Sequence, residues 1–531
     1  MQRKPALHWG DLMRKKRVIL LIAVCYGIFS LLIFVSPSLS EQPEQGLKLI
    51  EAIGTTLSNQ PSIKIQEEVV EISKGALQQA SGAFDPTLTT DISRTHENKP
   101  FTAADQLTYG TSKDASNVTT YTVSLNKKLR NGITVGPNAQ MTRTDDQSSG
   151  APTINEGSVN FVITLPLLSG RGREAAAAGE TAAKSQVEAS ELSLRHTYST
   201  AVLETANAYW EVTAANENLE VLEEAESRSI KLLQDVEKLV NADERPRSDL
   251  DQLRADLASK TMARIMGEQT LYEARQHLGI AMGLRFDDVT TLPLPSDTFP
   301  GSLSGKSLSI ENNKMEFIQL SNKNRSDLLA LEKLEKEAMI LLTAARINTK
   351  PQLDLSLSMG YQSLDETNRK SGYYNAFREN VEGLNGGATL SLQYPFGNNA
   401  SSGLLHQRKS SHLKTRIQTA DLERKIHSYV VVAIHALIQK TAELGEAQKA
   451  VLYSRKALNN EKLKLNMGMS TVIDVLDIED RFRTALQGKV SAQKEYALAV
   501  LQLRFATGTL LGEDKGCYTV TTEQLTTIPI P

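Results

Sequence analysis

Two periodicities of apolar residues divide this chain, one belonging to strands and one to helices. In the second half Leu353, Leu355, Leu357, Met359 and Tyr361 alternate with Asp354, Ser356, Ser358 and Gly360. A period of two gives a strand one apolar face and one polar face. Ala388, Leu390, Leu392 and Tyr394 repeat the pattern and stop at Pro395. The first half carries a weaker version in Leu88, Thr90 and Ile92, then a return strand in Val159, Phe161, Ile163 and Leu165 that stops at Pro166. Between and after these strands the period becomes helical, as in the stripe Leu232, Leu233, Val236, Leu239 and Val240. Helices predicted over 172–240 and 400–465 would be rods on the order of 100 Å long, at about 1.5 Å per residue.

Comparing the halves shows one plan used twice. Asn59-Gln60-Pro61-Ser62-Ile63, leading to Pro86, aligns without a gap with Asn324-Arg325-Ser326-Asp327-Leu328, leading to Pro351. Each of these later prolines ends a helix, because it lacks the donor and clashes with the preceding turn. A return helix follows each rod, and again the copies align: Asp249 with Asp474, Leu250 with Val475, Leu253 with Ile478, Leu257 with Phe482, Gly283 with Gly508. Apolar residues at i, i+3 and i+7 make a coiled-coil seam between antiparallel helices. The first repeat is expected over 41–284, with helices at 47–83, 172–240 and 249–282 and strands at about 87–95 and 157–166. The second is expected over 316–511, with helices at 316–347, 400–465 and 474–508 and strands at about 352–361 and 387–395. Residues 285–315 form an equatorial linker and 512–531 a tail.

The connection between the first two strands is long and contains an alternating pair of its own, Tyr121 to Leu129 and Ile133 to Met141, joined at Asn131-Gly132. That is an additional hairpin over about 120–145. The pattern leaves open whether it extends a barrel or stands above one.

Composition excludes several classes of function. Basic and acidic residues, 59 and 62 in number, are mixed along the chain for a net charge of −3, so no basic stripe offers itself to nucleic acid. The two cysteines, Cys25 and Cys517, make neither a CxxC pattern nor a disulfide framework. There is no Walker loop, GxSxG elbow or HExxH. No catalytic residue, cofactor or metal site is expected. His196 and His427 hold similar places in the two repeats without a ligand cluster around them, so they belong to helix surface or packing. Gly170-Arg171-Gly172-Arg173 resembles a phosphate loop only superficially and suits a strand-to-helix junction.

Arg14-Lys15-Lys16-Arg17 precedes the mainly apolar run Val18 to Val35, and Ser36-Pro37-Ser38-Leu39-Ser40 offers small residues for cleavage. Residues 1–40 are therefore expected to be a signal peptide, cleaved after Ser40, with an uncleaved anchor as the alternative. A lipid anchor on Cys25 is disfavoured by bulky Val24 before it. No other segment has the 18 to 20 or so apolar residues of a spanning helix. One-faced strands beside an export signal have a use in lipid, where only helices and closed barrels satisfy their backbones. Four to six strands fall short of the eight or so at which single-chain barrels begin, so several chains must combine.

These residues resemble the TolC-like outer membrane efflux protein family. The likeness rests on Glu51-Ala52-Ile53, Asn59-Gln60-Pro61 and Phe84-Asp85-Pro86-Thr87-Leu88 at the opening helix, and on Met467 through Asp477 at the periplasmic end. It covers about 47–511 and includes the duplicated order helix, strand, strand, helix, helix. It implies a mainly α fold with β: long antiparallel coiled-coil helices and short transmembrane strands that form a barrel shared by a homotrimer in outer-membrane lipid. It also implies a periplasmic helical tunnel, a periplasmic adaptor as partner, and an inner-membrane transporter or secretion ATPase reached through that adaptor. The channel passes small molecules or polypeptides and is not an enzyme. A tethered periplasmic coiled-coil adaptor or scaffold is the competing expectation, and the paired one-faced strands weigh against it.

The resemblance also implies site residues. Asp474 and Asp477 match the paired aspartates of the periplasmic constriction, where threefold symmetry would gather six carboxylates. Asp249 is a possible aperture or capping partner. Adaptor docking is expected at the two hairpin tips, at Met467, Gly468 and Met469 in one and at Asp243 and Glu244 in the other, although Asp243-Glu244-Arg245-Pro246-Arg247 departs from the small glycine-containing motif of such tips. The family's closing tyrosine and arginine align with Leu465 and Ser470, so closure should rest on other contacts. Asp474 could instead cap the start of its helix.

Overall fold

The computed structural model describes residues 46–146, 152–301, 313–514 and 517–529. The segment expected to direct export, 1–40 with Cys25, lies outside them. The chain opens with α1 (Leu49–Asn59) and α2 (Pro61–Ser81), enters β1 (Thr87–Pro100), and passes a short α3 (Ala103–Tyr109). Then come β2 (Lys113–Lys128), β3 (Thr134–Asp146) and β4 (Ile154–Pro166). A turn of helix, α4 (Arg173–Ala176), leads into the rod α5 (Ala178–Asn241), its return α6 (Ser248–Ala281) and a short α7 (Phe286–Thr290). The second copy runs α8 (Lys314–Asn324), α9 (Ser326–Ile347), β5 (Gln352–Asp365), a turn α10 (Gly372–Asn375), β6 (Asn385–Gln393), rod α11 (Asn399–Asn466) and return α12 (Val472–Ala506). A small ladder, β7 (Gly512–Asp514) with β8 (Cys517–Thr519), and α13 (Thr522–Thr526) finish the described chain.

The helices expected as single runs over 47–83 and 316–347 are each broken once. Pro61 takes the first position of α2, where its missing N–H costs nothing, and it holds Gln60 extended at ψ 121°. The second copy has no proline there. Arg325 makes the same break, extended at ψ 107°, with its guanidinium forked on Asp327 at 2.9 and 2.6 Å and donating to the Phe505 carbonyl at 3.2 Å. Each break receives the end of its return helix. Gly283 and Gly508, at φ 68° and 69°, close Schellman turns, and a Cβ on either would lie 2.8 Å from Gln60 Cα or 2.7 Å from the Asn324 carbonyl carbon. This close approach is the physical reason that glycine occupies both positions.

Among the described residues six long strands form one antiparallel sheet in sequence order, β1-β2-β3-β4-β5-β6. The additional hairpin is thus part of the sheet, lying between β1 and β4. Strands β1 and β5 run beyond the expected 95 and 361, to Pro100 and Asp365; their outer ends do not continue the alternation that marks the rest of each strand. The rods pack on their return helices, and three apolar clusters hold the helices together. One centres on Ile53, Tyr209, Trp210, Leu278 and Phe299, the second on Phe317, Ile426, Leu437, Tyr496 and Val500. The third sits at the far end of the hairpins, where Val236, Val240 and Leu253 of the first hairpin meet Val472 of the second. Phe299, from the stretch expected as a linker, stacks on Trp210 at 5.3 Å, and Leu47 pairs with Pro295 beside it. The tail returns to α12, where Arg504 donates to Thr527 Oγ1 at 2.8 Å and Leu525 is buried.

Candidate membrane wall and periplasmic tips

The register fixes which residues share each face of the sheet. Leu88 faces Leu125, which lies in the row of Pro137, Phe161, Met359 and Gly386; the next row outward holds Thr90, Val123, Ala139, Val159 and Tyr361. One step the other way stand Val135, Ile163, Leu357 and Ala388, followed by Leu165, Leu355 and Leu390 and then by Leu353 and Leu392. This face is uncovered: Leu88, Leu125, Phe161, Leu357, Met359, Leu390 and Leu392 are all exposed. Five rows two residues apart, at about 3.4 Å per residue and a tilt of about 40°, span roughly 20 to 25 Å, the height of a barrel's apolar band. Tyr361 stands at its outer margin, and Tyr394 with Phe396 follows its inner margin. The opposite face is mainly polar, with Ser124, Asn138 and Asn160 in one row and Thr122, Gln140, Ser158 and Gln362 in the next. Thr164 and Ser356 hydrogen-bond there at 3.1 Å. At the outer end the loop after β5 folds onto the first face, where Tyr373 meets Tyr121 and the Arg143 guanidinium lies 5.4 Å from the Tyr373 ring.

Gly170 and Gly172 lie where a strand gives way to a helix, at φ 75° and 85°. The Gly170 amide donates to Asn348 Oδ1 at 3.1 Å and that of Gly172 to the Asn131 carbonyl at 2.9 Å. His196 and His427 sit in packing. His196 is 3.9 Å from Asp327 and lies against Phe505, and burial holds its imidazole below the ordinary value against the pull of Asp327. His427 Nε2 is 2.9 Å from Asn322 Oδ1. Among the described residues no group of three or more His, Cys, Asp or Glu side chains is placed to hold a metal. No helix among them is long and apolar enough to cross a membrane.

At the other end the two tips share a turn. Gly468, at φ 72°, has its amide on the Leu465 carbonyl, and Met469 N–H reaches Lys464, so the rod α11 ends in a Schellman turn. Asp243 plays the same part after α5 at φ 58°, with Glu244 N–H on Leu239. Met467, Met469, Asp243 and Glu244 are all exposed.

Asp474 is engaged in capping. Its amide donates to Thr471 Oγ1 at 3.2 Å while its carboxylate accepts from the Thr471 hydroxyl at 2.6 Å and amide at 3.0 Å, a reciprocal capping box at the start of α12. Those hydrogen bonds hold its carboxyl below the usual range. Asp477, one turn on, is exposed and paired with Arg481 at 2.8 Å. Asp249 lies 3.8 Å from Arg245 within the first tip. Leu465 joins the apolar cluster and its carbonyl accepts from Arg245 at 3.5 Å, whereas Ser470 donates to Glu461 at 2.6 Å.

A further pair joins the hairpins. Glu479 is fully buried and accepts from Arg228 Nε at 2.9 Å, with Arg228 also on Glu224 at 3.1 Å and against the Phe482 ring at 5.6 Å. The signal was a charge on an apolar seam, since Glu479 stands in the series Val472, Val475, Glu479, Phe482. Beside it a groove of about 680 Å³ between the hairpins is lined by Leu232, Val236, Arg245, Leu465 and Gly468.

Comparison with known proteins agrees with this geometry. Residues 317–509, most of the second repeat, match the family described as outer membrane efflux protein. The outer membrane protein TolC of Vibrio cholerae is 25% identical over 316 residues, which are 59% of this chain and 68% of that protein. The crystal structure of the outer membrane protein VceC from Vibrio cholerae shares the fold at a TM-score of 0.61 and 17% identity, covering 87% of this chain and 96% of that one. The Campylobacter jejuni CmeC outer membrane channel does so at 0.60 and 14%, covering 87% and 85%. Channels of this family act as trimers with periplasmic adaptors and inner-membrane pumps, and the family is one of transport channels. Over most of its second repeat the chain thus matches the outer membrane efflux proteins, and its fold is that of solved outer membrane channels.

Proposed function

We propose that this chain is the exit-duct subunit of a tripartite efflux pump or type I secretion system, passing small molecules or polypeptides outward through a homotrimer. The observation that carries the reading is the sheet itself: one uncovered apolar face, one polar face, and unpaired outer edges on β1 and β6. A sheet immersed in lipid cannot leave edges open, so β6 of one copy pairs with β1 of the next until the ring closes. The rods then make the tunnel wall. Residues Met467, Gly468 and Met469, with Asp243 and Glu244, present exposed tips to a periplasmic adaptor, which connects the duct to an inner-membrane transporter. Asp474 and Asp477 approach the axis at the periplasmic aperture. Threefold symmetry gathers the pairs, and their carboxylates favour cations. A tethered adaptor has no use for a lipid-facing sheet.

Native mass measurement and planar-bilayer recording of the purified protein test the reading together. Three chains and discrete cation-favouring openings are expected; a monomer that conducts would overturn it.

A further inference from the structure

Among the described residues the β2–β3 hairpin is the one large element that the duplicated plan leaves unexplained, since the second copy has no counterpart between β5 and β6. We propose that it is a pair of barrel staves that widens the outer-membrane exit, so that each chain contributes six strands and the closed ring has eighteen. This rests on the exit-duct reading above and its three copies.

Four observations support it. First, the hairpin is interior to the sheet. β1 pairs with β2 over its whole length, from Thr87↔Asn126 to Pro100↔Lys113, and β3 pairs with β4 from Thr134↔Thr164 to Thr144↔Ile154. Among the described residues no other strand of the same chain pairs with β1, so a ring that includes β1 must include the hairpin. Second, its faces are in phase with the rest. Tyr121, Val123 and Leu125 of β2 lie in the rows of Ile92, Thr90 and Leu88, while Ala139 and Val135 of β3 lie in those of Val159 and Ile163. The intervening residues Thr120, Thr122 and Ser124 fall on the polar face with Thr142, Gln140 and Asn138. A loop standing in water above the membrane has no physical reason to keep this alternation or its phase.

Third, the inner turn of the hairpin is keyed to the base of the barrel. Arg130 forks onto Glu180 of α5 at 2.7 and 2.6 Å and lies 5.0 Å from the Phe84 ring, and the Asn131 carbonyl takes the Gly172 amide. The turn therefore reaches the same level as the junction that follows Pro166. Fourth, two added strands preserve direction: β1 and β4 run antiparallel with or without them.

The consequence is a matter of size. With strands about 4.8 Å apart and tilted by about 40°, an eighteen-stranded ring has a backbone diameter of about 36 Å, against about 24 Å for the twelve strands that remain without the hairpin. Rings of 16 to 18 or so strands hold an open aqueous channel. With hydroxyl and amide side chains over most of its inner wall, the exit is a wide, water-filled mouth for hydrated cargo, and selection falls to the periplasmic end.

Single cysteines at Val123 and Leu125, and at Thr122 and Ser124, in a background lacking Cys25 and Cys517, test the assignment in outer membranes. A membrane-impermeant maleimide should label the second set and spare the first, which a lipid-soluble maleimide should reach. Equal labelling of both sets by the impermeant reagent would overturn the proposal. Electron cryo-microscopy of unmodified trimers should show a ring of about 36 Å; a ring near 24 Å formed by three chains would refute the stave assignment and leave the duct intact. If native mass shows no trimer, the duct reading itself fails, and the eighteen-stranded ring with it.

Discussion

At the scale of single residues, charge at the periplasmic end is mostly spoken for within the chain. Glu479 and Arg228 bridge the hairpins out of water, and a buried pair that loses one partner leaves the other uncompensated. Arg228→Ala should therefore strand the fully buried Glu479 and lower the stability of the hairpin end by ~3 to 5 kcal/mol, read as a lower unfolding temperature of the helical signal, with Glu479→Leu less harmful because Arg228 keeps Glu224 and a packed apolar side chain fills the site. The carboxyl of Asp474 makes a prediction about pH. Its folded value is depressed by Thr471, so the cap is fully present above the ordinary 3.8 and is lost as pH falls through the lower folded value. Hydrogen exchange at the first turn of α12 should be unchanged from pH 8 to 5 after correction for the intrinsic rate, and should accelerate below about pH 4. The aspartates stood out in the sequence only through their resemblance to the family's paired constriction aspartates. The Glu479–Arg228 bridge was harder to see, since its partner lies 251 residues away in the other copy.

At the scale of elements, backbone conformation separates the two tips. Gly468 adopts its left-handed turn freely, whereas Asp243 holds the same turn with a side chain that disfavours it. Asp243→Gly should raise stability by about 1 kcal/mol in thermal unfolding, a gain that docking losses would not mask in the isolated trimer. Gly468→Trp should leave trimers on a native gel, because no atom lies within 4 Å of its Cβ position, while transport in cells falls to background. Unchanged transport would remove this tip from the docking surface. Gly508→Ala adds a strained φ to a backbone clash with Asn324, so it should cost more than about 1 kcal/mol and lower the yield of folded trimer. Strands with a strict period of two were legible wherever one side faces lipid, as in β5. The outer half of β1, Ser93 to Lys99, was not, because polar residues on both faces erase the alternation. The break at Arg325 was hidden for a related reason: an ion pair with Asp327 does there what Pro61 does visibly in the first copy.

At the scale of the whole molecule, fold class was readable because duplication, helix length and strand polarity all point the same way. Too few strands to close a ring implied several chains. What the pattern withheld was the sheet order, since an alternating hairpin has the same sequence signature inside a barrel wall or above it. Pairing register, a non-local property, decides that. The central claim is that edge β6 of one copy pairs with edge β1 of the next in a closed ring of three. Paired cysteines scanned along Leu88 to Asp91 and Gly387 to Ser391, oxidised in outer membranes and run on a denaturing gel, test it most directly. The account predicts a covalent ladder that ends at three chains for the pairs in register; a ladder absent at every pair, or one that continues past three, would contradict it.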